Sequence, residues 1–497
     1  MRYAFQFKIN FTGGIVSPGY LLHLMDAVKE GGIDHVRFGL RQQLLIDATH
    51  KQHDKLLASL DKNKVVYELN KDEYPNMVSS YAGADIFLND SWLREGTYKD
   101  IFDLFDYAPR LKLAITDNNQ TFTPFFTSNI NWIASANNHF WHLYIRFPQT
   151  DVLFQWPLLV YTNEIPRLSK EIENIIFQQK ELFFGNSKAD GQWVFNTITQ
   201  KLKYISKPVE EALHLPAFNL PYYEGFTHYG NKTWLGIYRR DELFPVDFLK
   251  DIALTCLKTK TGQLYTTTWK SIIIKNIEKP DRKEWDFVLN KHRINVRHAA
   301  NELAWQVEDT NEDGLYIKRM VTRELDKQDV RTFGLCFGVN TQPESSMFGS
   351  VIIQRRFSVI RNLVKALDKY DILYTDGFNP NSKEYITFRA GIHKEHISTY
   401  LVSISKQFYE LENQRQKDAS ATYQLQQKSV ENIVEKYVYQ CCSCLTVYDE
   451  TLGENENGIA LGSAFEGLPD SYCCPLCESP KINFKQINQS ILGLQAV

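Results

Sequence analysis

Apolar and polar side chains alternate near the start of the chain, where FQFKINF (5–11) predicts a β-strand. Ser17 and Pro18 follow, and this pair is typical of a helix N-terminus. The apolar face of the predicted helix consists of Leu21, Leu22, Met25 and Val28. Gly31–Gly32 would end the helix, and HVRFGLRQQLLID (35–47) predicts the next strand. The pattern therefore indicates a strand–helix–strand unit.

A second unit with the same pattern lies in the middle of the chain. Trp234–Tyr238 predict a strand, Pro245 begins a helix, Lys260–Gly262 interrupt it, and Leu264–Ile274 predict another strand. Superposing Pro245 on Pro18 aligns the apolar positions without a gap and gives an internal repeat offset by 227 residues. Unrelated strand–helix–strand units can share such a pattern, so the repeat is a hypothesis.

The rest of the chain mixes strand and helix patterns. Further strands are predicted at LKLAIT (111–116), HLYIRF (142–147), RTFGLCFGV (331–339) and EYITFRAGI (384–392), and a helix at FSVIRNLVKAL (357–367). The polar segment 411–436 is rich in helix formers and predicts a final helix plus a tether.

Composition and charge narrow the class of protein. The 497 residues are 43% hydrophobic and 23% charged, which is typical of several globular domains. No run of about 18 apolar residues exists, and the alternating N-terminus does not look like a secretory signal. With a net charge of -3 and no basic stripe, nucleic-acid binding is not expected either. We therefore expect a cytoplasmic protein with neither membrane nor nucleic-acid partners.

The charge is unevenly distributed. Residues 438–485 contain seven acidic residues and two lysines, a net charge of -5, which leaves +2 for the remainder. This acidic segment could dock on a basic patch of this chain or of a partner. The alternative is an ordinary solvated surface.

Cysteines concentrate in the same segment, since six of the eight lie between residues 441 and 477. Their skeleton is C-x2-C-x29-C-P-x-C. In such a pattern two short loops can fold back and place four thiolates at the corners of a tetrahedron, an arrangement that selects zinc or iron. The candidate metal ligands are Cys441, Cys444, Cys474 and Cys477.

The residues around these cysteines resemble rubredoxin along the whole segment. The matching positions include Tyr439, Tyr448, Gly462, Phe465, Leu468, Pro469, Asp470, Lys481 and Phe484. Tyr472 stands where rubredoxins usually have tryptophan. The resemblance implies one iron atom, held by the four cysteines, that takes up and releases a single electron. A zinc ribbon without a redox role is the alternative.

Two features depart from the rubredoxin pattern. Rubredoxins usually place glycine directly after the second cysteine of each pair, where this chain has Leu445 and Glu478. Glycine permits positive φ there, whereas other residues adopt it at a cost of about 1 kcal/mol or more. Cys442 and Cys473 are additional, and we expect them to be buried packing residues, with a hydrogen-bonding thiol as the alternative.

The large N-terminal body resembles the nitrite and sulfite reductase haemoproteins. The similarity begins at Lys8–Ile46, where Arg37, Arg41 and Gln42 fall on the family's R-x-T-x-R-Q pattern, and returns at APRLKLAI (108–115). The resemblance implies two ferredoxin-like half-domains and two sirohaem-binding modules related by a pseudo-twofold axis. It also implies anion-binding roles for a set of basic residues, Arg37, Arg41, Arg110 and Lys112. Ordinary salt-bridged surface residues are the alternative for each.

The predicted fold class is therefore α+β, with a pseudo-twofold reductase-like body and a small C-terminal metal-bound β-domain of rubredoxin type. The predicted domains are a first half-domain (1–75), a first α/β module (76–230), a second half-domain (231–284), a second α/β module (285–410), a linker or helix (411–436) and the rubredoxin domain (437–486).

Catalytic members of the reductase family bind a [4Fe–4S] cluster through four cysteines, whereas this body has only Cys256 and Cys336. In the predicted alignment the second unit also has apolar or neutral residues, Leu264, Thr268 and Trp269, in place of the basic pattern. Neither sirohaem nor the cluster is therefore expected.

We accordingly expect an electron carrier more than a catalyst. Its acceptor would be an assimilatory nitrite or nitrate reductase, which by resemblance places it in nitrite or nitrate assimilation, and its donor is unknown. The first alternative is a sirohaem-dependent nitrite or sulfite oxidoreductase with a fused rubredoxin donor. The second is a non-redox interaction protein with a zinc ribbon.

Overall fold

We analysed a computed structural model of the chain. The structure describes residues 4–87, 92–296, 300–342, 347–356, 368–382, 384–427, 437–454 and 457–489. It divides into two compact parts, which are distinct from the two strand–helix–strand units. One part comprises residues 1–226 and 234–405, and the other comprises residues 227–233 and 406–497. The six predicted domains and their boundaries stay predictions. Within the described residues, no helix has the length and apolar character that crossing a bilayer requires.

The first strand–helix–strand unit is present. In chain order its elements are β1 (Phe5–Ile9), β2 (Ile15–Val16), α1 (Pro18–Glu30), β3 (His35–Phe38), β4 (Leu44–Ala48), α2 (His50–Lys62) and β5 (Glu68–Leu69). Helix α1 begins where predicted, because the Ser17 side chain accepts a hydrogen bond from the Tyr20 N–H and Pro18 occupies the first turn. Strand β4 lies antiparallel between β1 and β3.

A mixed sheet follows, flanked by helices. Its elements are β6 (Val78–Ser79), α3 (Glu95–Asp103), β7 (Leu113–Thr116), β8 (Ile130–Ala134), β9 (Phe140–Arg146), β10 (Leu153–Gln155), β11 (Leu158–Tyr161), α4 (Ile165–Gln178), α5 (Lys180–Phe183), α6 (Gly191–Lys201) and β12 (Ser206–Pro208). The strand order is β12–β11–β9–β8–β7–β6, with β10 paired to β9. Strands β7 and β9 confirm the predictions at 111–116 and 142–147.

The second unit repeats the first. Its elements are β13 (Gly225–Tyr229), β14 (Lys232–Ile237), β15 (Phe244–Pro245), α7 (Val246–Lys258), β16 (Leu264–Thr266), β17 (Ile272–Ile277) and α8 (Arg282–Lys291). The units exchange short strands, since β2 pairs with β16 and β15 pairs with β3. The resulting sheet orders are β15–β3–β4–β1–β5 and β13–β14–β17–β16–β2. This reciprocal exchange is the pseudo-twofold relation that the sequence predicts.

In each unit the first long helix, α1 or α7, is followed by a hairpin where the sequence predicts a single strand. Residues 35–47 divide into β3 and β4, and residues 264–274 into β16 and β17. A buried residue in each turn adopts positive φ, 64° at Gln42 and 56° at Lys270. Because these turn residues are not glycine, the hydrophobic pattern does not reveal the reversal. Lys270, rather than Trp269, therefore takes the place of Gln42, one residue from the predicted alignment.

One hydrophobic core serves both units. Helices α1 and α7 pack against each other, and buried residues from both belong to one cluster, which includes Leu24, Val28, Ile252 and Cys256. Burial raises the pKa of the Cys256 thiol. Cys256 is therefore a packing residue of this core.

The second α/β module completes the body. Its elements are α9 (Ala300–Leu303), β18 (Trp305–Val307), α10 (Glu312–Lys327), β19 (Phe337–Asn340), β20 (Val351–Arg355), β21 (Lys369–Thr375), β22 (Tyr385–His393) and α11 (Ile397–Gln427). The strand order is β18–β19–β20–β21–β22. Strands β19 and β22 confirm the predictions at 331–339 and 384–392, and α11 confirms a helix near 411. The predicted helix at 357–367 and the tether beyond 427 lie outside the described residues.

A lysine is buried inside the body. Lys275 on β17 donates hydrogen bonds to the carbonyl oxygens of Tyr81 (3.1 Å) and Ala84 (2.9 Å). Its ammonium lies 4.7 Å from the ring centroid of Tyr81 and 4.4 Å from that of Tyr265. Burial nevertheless lowers the pKa of Lys275 from 10.5 to about 8.

This shift predicts a pH-dependent stability. Above pH 8 the folded chain has released the proton that the unfolded chain keeps up to about pH 10.5, so stability should rise with pH through this window. Relative to Lys275→Met, the wild type should gain about 2 kcal/mol in the free energy of unfolding between pH 7 and 9.5. Urea denaturation at both pH values measures the difference, with the exposed Lys258→Met as control. The prediction would be contradicted if the difference in the free energy of unfolding between the wild type and Lys275→Met were the same at pH 7 and pH 9.5.

Candidate metal centre

The four predicted ligands lie on two loops of a small β-domain. Strand β23 (Tyr437–Cys441) pairs antiparallel with β24 (Val447–Tyr448) and with β25 (Phe484–Asn488). We call residues 441–446 the first metal loop and residues 474–479 the second metal loop. The first joins β23 to β24, and the second precedes β25.

The two metal loops share one hydrogen-bond pattern. In the first, the N–H of Cys441 donates to the carbonyl oxygen of Thr446 at 2.8 Å. In the second, the N–H of Cys474 donates to the carbonyl oxygen of Ser479, also at 2.8 Å. Each loop is therefore closed on its first cysteine, so that both of its sulfur atoms face the same side.

Leu445 and Glu478 complete these turns. Their N–H groups donate to the carbonyl oxygens of Cys441 and Cys474, both at 2.9 Å. Their φ angles are 63° and 59°, which confirms that the positions usually held by glycine require the left-handed region. Each non-glycine residue there costs about 1 kcal/mol or more, and the closed hydrogen bonds of the loop offset that cost.

The sulfur atoms are spaced for a single ion. Cys441 Sγ lies 3.6 Å from Cys477 Sγ, and Cys444 Sγ lies 3.4 Å from Cys474 Sγ. All four ligand atoms lie within 4.8 Å of one another. A tetrahedron with metal–sulfur bonds of about 2.3 Å has edges of about 3.8 Å, whereas a disulfide needs about 2.05 Å. The donor set therefore fits one tetrahedral iron or zinc ion.

Hydrogen bonds aimed at sulfur favour ionised thiols in the first metal loop. The Thr446 hydroxyl lies 3.0 Å from Cys444 Sγ, and this contact, followed by the Thr446 N–H, lowers the pKa of Cys444. Desolvation opposes ionisation of Cys441, but the N–H groups of Ser443 and Cys444 outweigh it and lower the pKa of that thiol. Both cysteines are thus prepared to bind metal as thiolates.

In the second metal loop, burial and hydrogen bonding act in opposite directions on the ionisation of the thiol. Burial raises the pKa of Cys474 to about 11, although the N–H groups of Cys477 and Leu476 point at its sulfur and act in the opposite direction. Metal binding must therefore displace a proton from Cys474. The Ser479 hydroxyl lies 3.2 Å from Cys477 Sγ, the counterpart of the threonine contact in the first loop.

An aromatic cluster supports both loops. Its buried members are Tyr448, Phe465, Leu468 and Tyr472. Tyr439 stacks on Phe465 with ring centroids 4.1 Å apart. Tyr472, in the position where rubredoxins usually carry tryptophan, donates its hydroxyl hydrogen to Glu454 Oε1 at 2.7 Å. The smaller ring is thus still fastened to the neighbouring loop.

The prediction that Cys442 and Cys473 are buried packing residues is wrong. Both thiols are exposed, whereas the adjacent ligands Cys441 and Cys474 are buried. Successive side chains point to opposite sides of an extended backbone, so a neighbour of an inward-facing ligand faces solvent.

Two of the predicted anion-binding residues are engaged within the body. Arg37 on β3 forms an ion pair with Asp47, with Nε 3.2 Å from Oδ2. The guanidinium of Arg41, in the β3–β4 turn, donates to the carbonyl oxygens of Asn76 (2.6 Å) and Leu113 (2.9 Å). Burial lowers the pKa of Arg41 to about 10.

The other two predicted anion-binding residues, Arg110 and Lys112, have different surroundings. The guanidinium of Arg110 stacks over the ring of Phe177 at 4.1 Å. Lys112 is accessible, and within the described part of the chain its ammonium has no hydrogen-bond or ion-pair partner. Desolvation by the surrounding protein lowers the pKa of Lys112, and the positive charges of Arg41 and Arg146 lower it further. Of the predicted residues, Arg41 acts electrostatically on Lys112, and so does Arg146 at the end of β9, which was not singled out from the sequence.

Four cysteine sulfurs that converge on one point from two loops form a candidate tetrathiolate site for a single metal ion. The rubredoxin family model matches residues 438–484. Rubredoxin from Acinetobacter baylyi is 43% identical over 49 residues, which are 10% of this chain and 91% of that protein. The High molecular weight rubredoxin of Moorella thermoacetica is 47% identical over 49 residues, 10% of this chain and 21% of that protein. The chain therefore belongs to the rubredoxin family through its C-terminal domain.

The body has a separate likeness. The NirA protein of Mycobacterium tuberculosis superposes with a TM-score of 0.60 and 12% identity, over 82% of this chain and 81% of that one. This likeness shows that the two chains share a fold, and it confirms the predicted fold class of the body. The rubredoxin matches cover only a fifth to a quarter of the first relatives, 21% and 25%, and concern the C-terminal domain alone.

Substitution of cysteines should separate ligands from their neighbours. Cys444→Ser and Cys474→Ser each remove one of four sulfurs, so we expect the full chain to lose most of its bound iron. Cys442→Ser and Cys473→Ser are matched controls, because these exposed thiols adjoin ligands without being ligands, and they should retain about one iron per chain. Mass-spectrometric metal analysis measures the content. Equal iron in both pairs of variants would refute the ligand assignment.

Proposed function

We propose that the chain is an electron-transfer protein whose C-terminal domain holds one iron atom. The observation that carries the proposal is the convergence of four cysteine sulfurs within 4.8 Å of one another, in a domain of the rubredoxin family. When bound, iron in a four-thiolate cage supplies reversible one-electron chemistry between Fe(III) and Fe(II).

The chain's own residues suit this role. The main-chain hydrogen bonds that close both metal loops resist movement of the sulfur atoms, so little reorganisation accompanies a change of charge. N–H and O–H groups directed at sulfur stabilise negative charge there. The ligands also differ in exposure: Cys441 and Cys474 are buried, while Cys444 is partly accessible and Cys477 is exposed. An electron would therefore enter and leave on the side of Cys444 and Cys477.

Apolar side chains adjoin this accessible side. Leu445 is 65% exposed next to Cys444, and Leu476 is 73% exposed next to Cys477. Exposed leucines beside a redox centre suit the core of a transient protein interface. Because residues 438–485 carry a net charge of -5, we infer that the partner surrounds its docking site with basic residues.

The proposed acceptor is an assimilatory nitrite or nitrate reductase. Support comes from the body, which has a reductase-like fold and would position the iron domain or dock it on a catalytic reductase. The proposed donor is a further redox protein.

Electron delivery is directly testable. The reduced full chain should be reoxidised by an assimilatory nitrite or nitrate reductase, and the rate should fall several-fold between about 0.1 and 1 M salt, where the screening length falls from about 10 to 3 Å. Stopped-flow recovery of the Fe(III)–thiolate absorption measures the rate, with Cys444→Ser as the iron-free control. Iron that cycles with a small oxidant but with neither reductase would refute this acceptor. Zinc in protein made with ample iron would refute electron transfer itself.

A second candidate is a sirohaem-dependent nitrite or sulfite reductase with the rubredoxin domain as a fused donor. The observation that favours it is the accessible ammonium of Lys112, which has no partner among the described residues and could bind a carboxylate or a small oxyanion, although the carboxylates of Asp72 and Asp309 act on it as well as the cations Arg41 and Arg146. The cysteines of the body oppose it. Cys256 and Cys336 are buried with raised pKa values, and two thiols cannot supply the four ligands of a cubane cluster.

The absorption spectrum of the purified full chain decides between these candidates. For the electron carrier we expect weak visible bands that bleach on reduction. Protein from cells that make sirohaem would instead show a strong Soret-like band if the second candidate were correct, and Lys112→Ala would weaken that band.

A further inference from the structure

Each metal loop directs one hydroxyl group at its second cysteine. Thr446 Oγ1 lies 3.0 Å from Cys444 Sγ, and Ser479 Oγ lies 3.2 Å from Cys477 Sγ. Both hydroxyls stand two residues after the second cysteine of their loop. The same contact thus occurs twice around one ion site, once on each side.

The chemistry of the bound site determines which atom donates. A metal-bound thiolate carries no hydrogen and can only accept, so the hydroxyl must be the donor. Within the described residues, neither the Thr446 nor the Ser479 hydroxyl makes a hydrogen bond to any other side chain or carbonyl group. No protein acceptor therefore competes with sulfur for these two hydrogens.

The two hydroxyls contact the sulfurs of the two more accessible cysteines. Cys441 and Cys474 are buried and have main-chain N–H groups directed at their sulfurs. Cys477 is exposed and Cys444 is partly accessible, so water would otherwise solvate these two sulfurs. A fixed hydroxyl differs from water because it holds one orientation in both oxidation states.

We propose that Thr446 and Ser479 are paired positioning residues that raise the reduction potential of the iron held by the four cysteines. The inference rests on the proposed electron-transfer function. Four thiolates give the cage a net charge of -1 with Fe(III) and -2 with Fe(II), so a donor at sulfur stabilises the reduced state more. One electron enters from the redox partner, both hydroxyl hydrogens stay on oxygen, and no proton is taken up.

Substitution of the two hydroxyls tests the proposal in the iron-loaded full chain. Thr446→Val and Ser479→Ala should each shift the midpoint potential to a more negative value, and the double variant should show the larger shift. Thr446→Ser and Ser479→Thr retain a hydroxyl, so their midpoint potentials should stay close to that of the wild type. Thr451→Val is the matched control, because the Thr451 hydroxyl contacts Asp449 rather than a sulfur. Spectroelectrochemical titration measures the potential, and the energy of the sulfur-to-iron charge-transfer bands provides an independent measurement.

The possible outcomes are distinct. Potentials and band energies that match the wild type in the double variant, with full iron content, would overturn the inference. Loss of iron from Thr446→Val or Ser479→Ala, with retention in the hydroxyl-keeping variants, would assign the hydroxyls to metal retention and overturn it too. Wild-type protein that binds no iron, or iron that does not cycle, would instead refute the proposed function.

Discussion

Four sulfur atoms that repel one another as thiolates must be kept within a few ångströms, and the C-terminal domain is organised around that requirement. The two metal loops hold the sulfur atoms close together with the same kind of turn, which main-chain hydrogen bonds of 2.8 and 2.9 Å close. N–H and hydroxyl groups face the sulfurs and offset part of the negative charge. The left-handed conformations of Leu445 and Glu478 are a local cost of the same geometry.

The body is organised by a different constraint, the joining of two similar units into one core. Neither unit has a complete sheet of its own, because β2 and β15 pair with the strands of the opposite unit. Helices α1 and α7 then share one apolar cluster. An arrangement of this kind makes the two units depend on each other for stability, and it leaves charged residues such as Lys270 and Lys275 in buried positions near the junction.

The likeness of the body to the fold of the NirA protein and the chemistry of its residues point in different directions. The overall fold is retained, whereas Arg37 and Arg41 are used within the protein and the body has two separate buried cysteines. Lys112 is the exception, since its ammonium is accessible, unpartnered among the described residues and close to other cations. The internal contacts of Arg37 and Arg41 and the two separate cysteines are consistent with a scaffold that carries a rubredoxin domain. The accessible ammonium of Lys112 is consistent with an anion site.

The sequence identifies the four candidate metal ligands, because short loops impose their geometry through near neighbours: two cysteines three residues apart, a closing turn and flanking aromatic residues all act locally. It also determined helix α1, where Ser17 and Pro18 act within one turn. Tertiary contacts alone establish the hairpin turns at Gln42 and Lys270, the exposure of Cys442 and Cys473, and the surroundings of Arg41 and Lys112. Each of these depends on contacts between residues far apart in the chain, which no local pattern encodes.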